Sequence, residues 1–88
     1  MKKGKTKNGF SYAIDENVLD DMELIDAMAE AQGNDPTQIS VVVKKIFGTE
    51  QRAKLYDHIR TEDGRVPVND VADMITEIIE SIGDDGKN

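Results

Sequence analysis

The first half of the chain repeats apolar residues at spacings of three and four, which predicts two amphipathic helices. The first covers residues 17–33, and the second covers residues 34–48, with Asp35 as its N-cap and Pro36 at its first helical position. The residues expected to face the core are Val18, Met22, Ile25 and Ala29 in the first helix, with Leu24, Met28 and Ala31 beside them, and Ile39, Val42, Val43, Ile46 and Phe47 in the second.

The second half shows the same spacing over two further stretches. A third helix is predicted over residues 49–60, and a fourth from an Asn69 cap to Gly83. The residues expected to face the core are Ala53, Leu55, Tyr56 and Ile59 in the third helix and Val71, Met74, Ile75, Ile78, Ile79 and Ile82 in the fourth.

Two short segments alternate apolar and polar residues instead. Residues 10–14 read "FSYAI", and residues 65–68 read "RVPV", in which a proline separates two valines. Because proline permits only an edge strand, we expect either a two-stranded ribbon between these segments or an extended arm of residues 10–14. Such an arm would dock on the helices or on a neighbouring subunit.

The predicted fold class is therefore mainly all-α, a compact bundle of about four helices with the second helix central and a short arm or minimal β-ribbon. We expect one helical domain over residues 10–83, a disordered basic tail over 1–9 and a flexible tail over 84–88. A chain of 88 residues buries only about 60% of its unfolded surface, which favours self-association.

The segment "TEDGRVPVND" has the outline of a calcium-binding EF-hand loop. With Gly64 at the sixth position, Ile59 falls at the first, where a carboxylate is required, and Asp70 at the twelfth, where Glu normally binds through both oxygens. The better interpretation is a turn at Asp63 and Gly64, followed by a helix.

Charge and composition narrow the function. The net charge is -7, and residues 1–9 hold four lysines and no acid, so the remainder has seven basic against eighteen acidic groups, or -11. An acidic body repels phosphate, so we expect no nucleic-acid partner, and no stretch has the roughly 18 to 20 apolar residues of a membrane span. The absence of cysteine excludes disulfides, thiolate nucleophiles and cysteine-ligated metals.

No catalytic, cofactor-binding or metal-binding motif emerges from the sequence. His58 is the only imidazole, so a triad or a histidine-ligated metal would depend on it alone. We therefore expect no enzyme activity and no cofactor.

The order of three segments resembles a known family. These are "FSYAIDENVLDDMELIDAMAEAQGND", "IFGTEQRAKLYDHIR" and "EDGRVPVNDVADMITEII", the last followed by a glycine-rich end. Over residues 10–88 the chain looks like the short tail assembly chaperones of long-tailed bacteriophages and prophages.

The resemblance implies a non-catalytic protein of the bacterial host cytoplasm, absent from the mature virion. Its expected partners are the tape measure protein, which it would keep soluble until tail tube subunits polymerise, and further copies of itself. The family also implies a longer product of ribosomal frameshifting and contact with the tail tube protein.

Candidate partner-binding residues follow from excess hydrophobicity and not from the family. Val41 lies off the apolar stripe of the second helix, which leaves this helix apolar over more than one face. The full candidate set is Phe10, Tyr12, Met28, Val41, Ile46, Phe47 and Ile79.

Two alternatives remain open on the sequence. An acidic inhibitor that mimics nucleic acid would require carboxylates arrayed on one exposed face, and a degenerate calcium sensor would require the loop described above.

Overall fold

The computed structural model describes the backbone of residues 1–85 and the side chains of residues 1–83. Its elements are strands β1 (Lys2–Lys5) and β2 (Ser11–Ile14), helix α1 (Met22–Gln32), a single 3-10 turn (Pro36–Gln38), and helices α2 (Ile39–Ile59) and α3 (Val68–Asp85). The protein is thus mainly helical with a small sheet, and residues 1–85 contain three α-helices where about four were predicted.

The expectation of a disordered tail over residues 1–9 is wrong, because Lys2–Lys5 pairs antiparallel with Ser11–Ile14. Gly9, at φ +91°, completes the connecting loop, in which the Thr6 hydroxyl accepts a hydrogen bond from the Phe10 amide at 3.0 Å. The sequence signal for this hairpin was Asn8-Gly9, a dipeptide that favours tight turns. "RVPV", the strand partner expected from the sequence, does not form a strand.

The ribbon is fixed to the helices on one side. Phe10, Tyr12 and Ile14 point into the core, and the Phe10 ring meets the Phe47 ring edge-on at 6.4 Å between centroids. On α2, the side-chain amide of Gln51 donates to the carbonyl of Ala13 and accepts from its N–H at 2.8 Å. Residues 10–14 therefore pack within their own chain as a strand.

Helix α1 buries a different side from the one predicted. Asp21 caps it by accepting from the amides of Glu23 and Leu24 at 3.0 and 3.4 Å. Leu24 and Ala27 are buried, whereas Met22 and Ile25, predicted as core, are exposed. Apolar residues occur on both sides of this helix, and the rest of the protein covers the side of Leu24 and Ala27.

The second and third predicted helices form one element, α2. Gly48, where the second helix was expected to end, has the non-helical angles φ +69° and ψ -176°, so α2 consists of two helical segments that meet at a kink there. Before the kink, Val42, Val43, Ile46 and Phe47 are buried. Helix α2 as a whole is central, since it contacts α1, α3 and β2.

The 3-10 turn before α2 confirms the predicted Asp35 cap, which accepts from the Thr37 amide at 3.2 Å. Hydrogen bonds from the Thr37 hydroxyl and the Gln38 side chain hold the pKa of the Asp35 carboxyl below its usual value. Asp35 therefore stabilises the start of α2 most when it is ionised.

Helix α3 follows the predicted pattern closely. Val71, Met74, Ile75 and Ile78 are buried, and all of them were expected to face the core. The helix begins at Val68, so the predicted Asn69 cap lies inside its first turn, and it continues past the predicted stop at Gly83 to Asp85. Residues 84 and 85 are thus helical in backbone, and the rest of the predicted tail, 86–88, lies outside the described residues.

Candidate partner-binding surface

Four of the seven candidate contact residues belong to the protein's own core. Phe10, Tyr12, Ile46 and Phe47 are each at most 7% exposed. They lie in the cluster that joins the ribbon to the helices, so a partner would reach them only if this cluster opened. Their apolar character is explained by folding.

Met28 and Ile79, two further candidates, come together in an open groove between α1, α2 and α3. This groove, called here the α1/α3 groove, has a volume of about 240 Å³. Its apolar lining consists of Met28, Ala31, Ile39, Val42, Ala72, Ile75 and Ile79. Met28 and Ile79 are half-buried, so each contributes to the core and still faces the groove.

A second groove shares Ile39 with the first and has a volume of about 510 Å³. This Tyr56 groove lies between the start of α2, its last turns and the start of α3. Its apolar lining is formed by Ile39, Val43, Tyr56, Val66, Val68 and Val71. Val68 is 60% exposed at its edge, so the protein presents uncovered apolar surface there.

Residue patterns alone do not indicate the Tyr56 groove. They place Val66 and Val68 in a possible strand and Tyr56 in the core of a separate helix. The signal available was that "RVPV" is apolar and yet short and proline-containing, which is poorly suited to a strand.

Val41, the seventh candidate, lies apart from both grooves. It is 36% exposed and lines a shallow depression of about 270 Å³ between α1 and α2. Glu23, Asp26 and Glu30 of α1 border this depression, and Lys45 of α2 closes it. Val41 is thus an isolated apolar residue in acidic surroundings.

Lys45 connects α2 to the capped end of α1. Its ammonium lies 3.4 Å from an Asp21 oxygen and 3.9 Å from a Glu23 oxygen. Burial raises the pKa of Asp21, but hydrogen bonds from Lys45 and from the Leu24 and Glu23 amides outweigh it, so the pKa lies below its usual value. Exposed pairs of this kind contribute little to stability, and their main effect is on the local charge.

The segment with the outline of a calcium-binding loop forms a turn over residues 61–65 that is held by hydrogen bonds among its own residues. The Thr61 amide donates to the Arg65 carbonyl at 2.8 Å, and Gly64 has φ +90°. Hydrogen bonds from the Thr61 hydroxyl and the Arg65 guanidinium hold the pKa of Asp63 below its usual value. The Asp63 carboxylate is therefore engaged by Arg65, as expected for a turn.

His58 contacts the ribbon loop. Its Nε2 donates to the Asn8 carbonyl at 3.0 Å, and its ring lies 5.6 Å from that of Phe10. Nearby, the Lys7 amide donates to Glu77 of α3 at 2.8 Å. These contacts hold the hairpin loop against α2 and α3.

Across the side chains that the structure describes, no three His, Asp or Glu residues are grouped so that they would hold a metal ion. None of the helices in the described part of the chain has the length and apolar character needed to cross a membrane. Comparison with known proteins identifies no relative: no family model, no curated protein and no solved structure matches the chain.

Proposed function

We propose that this chain is a non-catalytic tail assembly chaperone that covers apolar helical segments of a phage tape measure protein in the bacterial cytoplasm. The observation that carries the proposal is the pair of open apolar grooves joined at Ile39. Their combined lining comes from α1, α2, α3, the 3-10 turn and Val66. An amphipathic helix recognises such a groove by inserting apolar side chains at positions i, i+3, i+4 and i+7.

The remaining support comes from charge and from the sequence resemblance described above. A net charge of -7 keeps complexes of many copies dispersed by mutual repulsion. Each groove is small, so one copy would bind weakly and many copies along one tape measure protein would together hold it soluble. Weak single contacts also allow tail tube subunits to displace the chaperone.

The direct test is co-expression with segments of the tape measure protein from the same genome, followed by pull-down and light scattering of the soluble fraction. We expect a soluble complex that contains several copies of this chain for each segment. Precipitation of every segment, both with this chain and with its longer frameshifted product, would contradict the proposal.

A matched pair of variants locates the binding surface. Thr76 is an exposed residue of α3 that lines the α1/α3 groove, and Thr49 is an exposed residue of α2 outside both grooves. Thr76→Trp fills the mouth of the groove and should weaken binding of the segment by about tenfold or more, whereas Thr49→Trp should leave it unchanged. Equal binding by both variants would exclude the α1/α3 groove.

A further inference from the structure

The outward side of α1 carries an apolar stripe that nothing in the described chain covers. Met22 is 68% exposed, Ile25 is 41% exposed, and Ala29 is also exposed. At 1.5 Å per residue these three positions span about 10 Å along the helix axis. They lie on the side of α1 opposite Leu24 and Ala27, which are buried against the rest of the protein. We call them the outer stripe of α1.

One edge of the outer stripe is lined by carboxylates. At 100° per residue, Asp26, Glu30 and Glu23 follow one another around the helix directly beside Met22. All three are exposed. Within the described residues, no ion pair links Asp26 or Glu30 to a cation, and Glu23 shares Lys45 with Asp21.

The charge of the surrounding sequence has one sign. Residues 8–43 contain eight aspartates and glutamates and no lysine, arginine or histidine. The outer stripe is therefore a small apolar surface beside a cluster of carboxylates, and among the described ion pairs Lys45 joins this cluster through Glu23.

We propose that the outer stripe of α1 docks an amphipathic helix of another protein that carries lysines or arginines beside its apolar face. Burial of Met22 and Ile25 would drive the contact, and cations opposite Asp26 and Glu30 would set its orientation and speed its formation. This surface is separate from the two grooves of the proposed function. Either proposal therefore stands or fails without the other.

Charge argues against the other occupants of such a surface. A second copy that used the same helix would add carboxylates to a region already rich in them, and an anionic lipid surface would be repelled. A cationic amphipathic helix instead complements both features of the surface: its apolar face fits the outer stripe, and its cations fit the acidic edge.

The test uses the full chain and two synthetic 18-residue helical peptides with the same leucine face. One peptide has lysines on its polar face and the other has glutamates. We expect the lysine peptide to shift the amide NMR signals of α1, with an affinity that falls as salt rises from 20 to 200 mM, and the glutamate peptide to show no binding. Shifts confined to the α1/α3 groove would overturn the proposal.

Variants of the outer stripe show whether its apolar side chains bind the lysine peptide or whether the peptide is attracted by charge alone. Met22→Ser with Ile25→Ser should weaken the lysine peptide by about tenfold or more without loss of helicity, because both side chains are exposed. If this double variant binds the peptide as well as the parent, the stripe is not the site. If it instead abolishes self-association measured by sedimentation and leaves peptide binding intact, the occupant is a second copy and the proposal is wrong.

A charge-matched pair tests the acidic edge. Glu23→Gln, Asp26→Asn and Glu30→Gln together should weaken the lysine peptide about fivefold at 20 mM salt and flatten its salt dependence. The control makes the same net charge change away from α1, at positions Glu50, Glu62 and Asp73. Equal weakening by both triple variants would show attraction to net charge alone and would overturn the proposed recognition.

Discussion

The attachment of the ribbon to α2 by Gln51 gives the sharpest test of the fold. Its side-chain amide satisfies both the N–H and the carbonyl of Ala13, on the edge of β2 that β1 leaves free. A single glutamine thus takes the place of a third strand at this position. We predict that Gln51→Met, which keeps the length and bulk of the side chain, destabilises the protein by about 2 kcal/mol.

The magnitude follows from the two hydrogen bonds. Each contributes about 0.5–1.5 kcal/mol net, and both are partly buried, so water replaces them only incompletely. For a domain of this size, 2 kcal/mol corresponds to a decrease in Tm of roughly 8–16 °C. The burial of Phe10 and Ile14 beside Ala13 remains, so the ribbon should loosen without unfolding.

The assay is urea denaturation followed by circular dichroism, together with amide hydrogen exchange at Ala13. The control is Gln32→Met, at an exposed glutamine whose side chain makes no hydrogen bond within the described residues, and it should change stability by less than about 0.5 kcal/mol. If Gln51→Met matches this control and Ala13 keeps its protection, the attachment does not stabilise the fold as argued here.

The other predictions concern three glycine positions and one acid. Gly48→Ala should destabilise the protein by about 1–3 kcal/mol, because φ +69° with ψ -176° suits only glycine. The control Gly83→Ala, in α3, should stabilise it by about 0.5–1 kcal/mol. Stability changes of the same sign for both variants in denaturation would contradict the kink. Gly4→Ala should cost about 1–3 kcal/mol, since a Cβ there overlaps the Tyr12 ring, and a double-mutant cycle with Tyr12→Ala should show coupling above about 0.5 kcal/mol. The lowered pKa of Asp35 predicts a stabilisation that is present above the unfolded-state pKa near 4 and is lost as the pH falls through the pKa of the folded state. Asp35→Asn should therefore be less stable than the parent at pH 7 and should lose less stability on acidification. The same dependence of stability on pH in variant and parent would refute a stabilising role of the Asp35 carboxylate.

Part of the proposed binding surface was predictable from residue patterns. Met28 and Ile79 were selected for excess hydrophobicity, and both line the α1/α3 groove. Phe10 and Phe47 were selected on the same ground, yet they contact each other in the core. Hydrophobicity identifies residues that avoid water, but it does not say whether the same chain or a partner covers them.

The sequence by itself determined the features that depend on neighbouring residues. The buried side of α3, the Asp35 cap and the turn at Gly64 follow from helical periodicity and local hydrogen bonding. The hairpin was encoded just as locally, in Asn8-Gly9, although the lysines around it suggested a disordered tail.

Only the tertiary structure decided which of two apolar sides α1 buries. Leu24 and Ala27 pack inward while Met22 and Ile25 stay exposed, because the helix is apolar on both sides and the described chain covers only one of them. Long-range packing also joined Met28 and Ile79, which lie far apart in sequence, in one groove. Local pattern therefore set where helices form, and three-dimensional packing set which apolar surfaces remain for a partner.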